Sequence, residues 1–62
     1  MDSTTIAFRF KCEVTGRVRT FSGTSYHTSE DDFAYILADA ENSAYLTALD
    51  VFGPMVSCEG RV

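Results

Sequence analysis

A chain of 62 residues carries apolar surface for one small core and none to divide between two, so a single domain over residues 1–62 is expected. Hydrophobic residues make up 45% of it and aromatics 13%, too apolar for a disordered chain, yet no apolar run approaches the roughly 20 residues of a membrane span. The net charge of −4 is unevenly spread: between Thr20 and Gly60 there are seven acids and no Lys or Arg. Nonspecific attraction to phosphate grows with the number of neutralising cations, so this balance argues against direct nucleic-acid binding.

The first element is plain. In "IAFRFKCEV", residues 6 to 14, Ile6, Phe8, Phe10, Cys12 and Val14 alternate with Ala7, Arg9, Lys11 and Glu13, the pattern of a half-buried strand. Thr15-Gly16 follows as a two-residue hairpin connection, and a second strand runs back from Arg17 towards His27. Val18 and Phe21 fall on opposite faces of that strand, so "SGT" at 22 to 24 reads as a bulge that resets its register. If Arg9, Lys11, Arg17 and Arg19 share the outer sheet face, they make a basic surface, which is either solvated or, with Phe21, nucleic-acid-reading.

A helix should follow. Ser29 reads as its N-cap with Asp32 as a weak capping-box partner, and Glu30, Asp31 and Asp32 sit where the positive end of the helix dipole favours acids. Phe33, Ile36, Leu37 and Ala40 recur at i, i+3, i+4 and i+7, a core-facing stripe, while Asp31, Asp32, Tyr35 and Asp39 mark the opposite side. "AYLTALDVF" extends the helix or forms a strand; a strand from about Tyr45 to Phe52 is expected, because a hairpin alone needs a third strand to close a sheet. Gly53-Pro54 breaks the chain, and "MVSCEGRV" reads as a short edge strand or packed tail. The predicted architecture is α+β, ββαβ or ββαββ, with the helix on one face of a small antiparallel sheet.

Chemistry is sparse. Ser25, His27 and Asp31 assemble a catalytic set only on paper, since no nucleophile elbow surrounds any of them. Adjacent Asp31 and Asp32 point to different sides of a helix and cannot share a proton. Cys12, Cys58 and His27 are one ligand short of a structural zinc site, and two buried thiols are the simpler reading. No enzyme, metal or cofactor is expected. The segment "MDSTTIAF" lacks the basic and apolar parts of a signal peptide, which points to the cytoplasm. A core this small often borrows stability from a second copy, so a homodimer is expected, and membranes are not an expected partner.

What the acids suggest is the reverse of nucleic-acid binding. Carboxylates along one face present a negative row to a basic groove, and Tyr35 among them is the kind of aromatic that anchors an interface. The order hairpin, helix, strand and the string "YHTSEDDF" at 26 to 33, with Leu49-Asp50 further on, resemble the small bacteriophage inhibitors of uracil-DNA glycosylase, which are dimeric DNA mimics. The resemblance covers about residues 5 to 52. It implies a viral protein in the host cytoplasm that blocks the DNA site of a host enzyme without catalysis. Phe33 would match the helix Phe that helps hold the enzyme's intercalating side chain, and Asp32 the acid before it. Ala34 and Leu37 stand where that family has an acid and a Tyr, with Tyr35 and Asp39 as neighbouring substitutes. The expected partner-binding set is Glu30, Asp31, Asp32, Phe33, Tyr35, Leu37 and Asp39. The competing reading is a small dimeric structural or regulatory module, antitoxin-like or an assembly protein, whose helix pairs with its own copy.

Overall fold

The computed structural model describes all residues from Met1 to Val62. Strand β1 (Asp2–Cys12) and strand β2 (Val18–His27) form a hairpin, helix α1 (Phe33–Phe52) crosses back over it, and strand β3 (Val56–Arg61) returns along the other side of β1. The sheet order is β2-β1-β3 with both pairings antiparallel. The fold is therefore α+β of the ββαβ form.

The alternation in β1 sets its faces. Phe8, Phe10 and Cys12 are buried under the helix, and Arg9 on the other face is exposed. β1 begins earlier than the sequence pattern indicates and ends at Cys12, leaving Val14 exposed in the connection. That connection is longer than two residues: the Cys12 amide donates to the Arg17 carbonyl (2.8 Å), the Gly16 amide donates to the Cys12 carbonyl (2.8 Å), and Gly16 takes a φ of 75° that suits a residue without a side chain.

β2 pairs with β1 residue for residue, from Asp2 opposite His27 to Lys11 opposite Val18, so the expected bulge at 22 to 24 does not form. Gly23 has a different reason to be glycine. A Cβ there would lie 1.8 Å from the Ala40 carbonyl oxygen and 2.7 Å from the Ala44 amide nitrogen, so the helix backbone rests directly on the strand. The register break is instead between Arg9 and Phe10 in the β1–β3 pairing. Nor do the four cations share a face. Arg9 and Lys11 project outward, Arg17 is in the connection, and Arg19 pairs with Phe10 on the helix side, its guanidinium 5.5 Å from the Phe21 ring.

Two expectations about the helix are corrected. Residues 45 to 52 are helical, because nothing at 41 to 44 breaks the helix and the apolar ridge continues in steps of four: Ile36, Ala40, Ala44 and Ala48 are its buried residues. The third strand comes after Gly53-Pro54 instead, as β3. The N-cap is Asp32, not Ser29: its backbone is extended, and its Oδ1 accepts from the Tyr35 amide at 3.0 Å. Ser29 belongs to the preceding turn. The core consists of Phe8, Phe10, the alanine ridge and Val56, with Ile6, Phe21, Leu37, Tyr45, Leu49 and Phe52 packed around it. Small residues on the ridge let the helix approach closely, while the rings of Phe10, Phe21 and Phe52 fill the space beside it, edge to face at 6.0 and 5.9 Å. Ser25 is fully buried with an Oγ that has no hydrogen-bond partner.

Candidate functional site

The turn between β2 and α1 is fixed by its own short polar side chains. The Thr28 amide donates to Asp31 Oδ2 (2.9 Å), the Asp31 amide to the Thr28 carbonyl (3.3 Å), and the Glu30 amide to Thr28 Oγ1 (3.4 Å). His27 anchors the turn's entry. Its Nδ1 donates to the Thr28 carbonyl (3.1 Å), which assigns the proton to that nitrogen and leaves Nε2 to accept from Thr4 Oγ1 (2.8 Å) on β1. Asp31 and Asp32 thus each commit one carboxylate oxygen to a backbone amide.

Their side chains nonetheless remain at the surface. Glu30, Asp31 and Asp32 are exposed, and so are Phe33 (55%) and Tyr35 (54%). The expectation that Phe33 joins the core stripe is corrected: as the first helical residue it lies outside the buried core, and the Arg61 guanidinium sits over its ring at 5.7 Å. Five of the seven expected site residues are therefore presented together at the helix start. Leu37 turns into the molecule and packs on the core, and Asp39 is half-buried, so these two support the site from within and beside it. Arg61, 28 residues further along the chain, is a member the sequence reading missed; no local pattern links it to Phe33.

Away from this end, an open groove of about 760 Å³ lies beside the hairpin connection, lined by Cys12, Arg17, Arg19 and Phe52 among others. A smaller one of about 270 Å³ is bounded by Phe10, Glu41, Tyr45 and Cys58. Both cysteines are free, and only Cys12 is buried, which corrects the expectation of two buried thiols. The Thr15 hydroxyl and the amides of Thr15 and Val14 hold the Cys12 thiol below its ordinary pKa. Partial desolvation of the otherwise exposed Cys58 pushes its thiol up, with the carboxylates of Glu41 and Glu59 adding to the effect; its Sγ donates to Glu41 Oε1 at 3.6 Å.

The candidate set of Ser25, His27 and Asp31 is not assembled. Ser25 lies under the helix, and His27 is bonded to Thr4 and Thr28 rather than to Ser25 or Asp31. No group of three His, Cys, Asp or Glu is placed to hold a metal ion, and no helix is long and apolar enough to cross a membrane. The helix start presents two exposed rings, Phe33 and Tyr35, beside three exposed carboxylates on a hydrogen-bonded, capped turn. Comparison with protein-family models, with curated proteins and with solved structures finds no match to this chain.

Proposed function

We propose that this protein is a non-catalytic inhibitor that occupies the DNA-binding site of a DNA-processing enzyme, with a host uracil-DNA glycosylase as the specific target. The observation that carries the reading is the exposure of Phe33 and Tyr35 beside Glu30, Asp31 and Asp32. A DNA-binding groove is lined by cations spaced for phosphates, and a glycosylase also extends an apolar side chain into the base stack. Carboxylates on a fixed turn imitate the first feature of DNA, and exposed rings receive the second. The free oxygens of Asp31 and Asp32 and the whole carboxylate of Glu30 are the phosphate analogues. Phe33 and Tyr35 line the seat for the apolar wedge, and Arg61 closes one side of it.

The test is uracil excision from a single-stranded oligonucleotide by a bacterial uracil-DNA glycosylase, with this protein in slight molar excess. Stoichiometric inhibition is expected, weakened at least tenfold by Phe33→Ala, which removes an interface anchor of about 2 kcal/mol. Full excision activity at high molar excess and low salt removes the glycosylase as target. It would leave the second reading, a small interaction module, for which the exposed Leu46 and Val51 further along the helix provide apolar contact surface.

A further inference from the structure

The open edge of the sheet carries an inference independent of the acidic turn. β2 has β1 on one side and nothing on the other along all 10 of its residues. The hydrogen bond from the Cys12 amide to the Arg17 carbonyl fixes the phase of the ladder, so Arg19, Phe21, Gly23 and Ser25 direct their backbone groups to β1. Val18, Thr20, Ser22, Thr24 and Tyr26 direct theirs outward, and none of these amides or carbonyls is bonded elsewhere in the chain. Four of these residues are exposed and Thr24 is half-buried, so the helix leaves the edge open. Natural edges are commonly blunted by Pro, Lys, a bulge or brevity. β2 has no Pro, no Lys, an unbroken register and ten residues.

We propose that β2 pairs with β2 of a second copy, antiparallel across a two-fold axis at Ser22, joining two 3-stranded sheets into one continuous sheet. The register follows from the edge itself. Centring on Ser22 uses every outward backbone group: Ser22 faces its own copy, Thr20 faces Thr24, and Val18 faces Tyr26. A shift of two residues in either direction leaves one outward residue unpaired. In the centred register the side-chain pairs are complementary too. Val18 and Tyr26 are 50% and 67% exposed in the single chain, and β-branched and aromatic residues cover each other well across a strand pair. Thr20 and Thr24 have hydroxyls to share, as Thr5 and Thr24 already do at 2.9 Å within the chain.

The shape of the single chain favours such a partner. It is elongated, 40 × 18 × 13 Å, and buries only 10 of its 62 residues. A stable dimer removes at least roughly 1,200 Å² in total, or about 600 Å² per copy. That is near one seventh of this chain's 4147 Å² surface, an area within reach of a ten-residue edge with its flanking side chains.

Cross-linking tests the register directly, in a Cys58→Ser background that removes the exposed thiol. Paired residues at this phase have Cα atoms about 5.5 Å apart, suited to a disulfide. On mild oxidation, Ser22→Cys is expected to form a covalent dimer by itself. Thr20→Cys and Thr24→Cys are each expected to remain uncoupled alone and to couple when mixed. Light scattering on the unmodified chain should give twice the monomer mass. Ser22→Pro, which removes an outward amide and no β1 bond, should give the monomer mass with an unchanged circular dichroism spectrum. A monomer for the unmodified chain at high micromolar concentration overturns the proposal and leaves the edge to a strand of another protein. A dimer that survives Ser22→Pro, or that cross-links through a different pair, overturns the β2 interface.

Discussion

Asp32 uses its two carboxylate oxygens differently: Oδ1 caps the helix by accepting from the Tyr35 amide, and the other oxygen faces solvent. Local structure and charge can therefore be separated by substitution. Asp32→Ala loses the cap and should cost about 1 kcal/mol in urea denaturation, whereas Asp32→Asn keeps an equally good cap and should cost almost nothing. If the acids act on an enzyme's cationic groove, Asp32→Asn nevertheless weakens inhibition; equal inhibition by Asn and Asp would mean that only the cap matters. The two thiols offer a second check at this scale. The Thr15 hydroxyl lowers the pKa of Cys12, and partial desolvation raises that of Cys58, so the pH midpoint for alkylation of Cys12 should fall below that of an unstructured cysteine and that of Cys58 above it. Peptide mapping of alkylated protein across a pH series reads both. Glu41→Gln should move the Cys58 midpoint down, because it removes a neighbouring negative charge.

At the scale of elements, the helix depends on one close approach. Gly23→Ala places a methyl group against the Ala40 carbonyl, which cannot move without the helix. It should destabilise by about 3 kcal/mol or more, comparable with the whole stability of a domain this small, and thermal denaturation would show a largely unfolded chain. Retention of the parent melting temperature would contradict this packing. Gly23 also shows what a sequence hides. Its smallness suggested a bulge, since a glycine in a strand marks either a bulge or a close backbone approach and only the tertiary contact decides between them. β1 was legible because a strand with one buried face must alternate. Residues 45 to 52 were not, because Tyr45, Leu49 and Phe52 suit a strand or the flank of a helix equally; the alanine steps at 40, 44 and 48 were the signal that settles it. Of the expected site, Glu30, Asp31, Asp32 and Tyr35 were readable as surface residues. Phe33 was not, because helical periodicity fixes a direction but not whether the packed layer extends that far.

For the whole molecule, charge and shape act together. The acidic turn follows the end of β2 and Arg17 and Arg19 lie at its start, about 30 Å away along the strand, with Arg61 beside Phe33 at the first end and Glu13 and Asp50 near the second. An uneven charge distribution of this kind favours some orientations of approach to a basic groove over others. The radius of gyration, 12.2 Å against about 10.5 Å for a compact chain of this length, leaves much of the surface available for partners. The most direct test of the proposed function is the affinity of this protein for a bacterial uracil-DNA glycosylase, measured by calorimetry over a series of salt concentrations. The account predicts a one-site complex that excludes DNA, weakens steadily as salt rises, and shows a shallower salt dependence with Asp32→Asn. An affinity that is absent at low salt, or unchanged by salt and by Asp32→Asn, would contradict it.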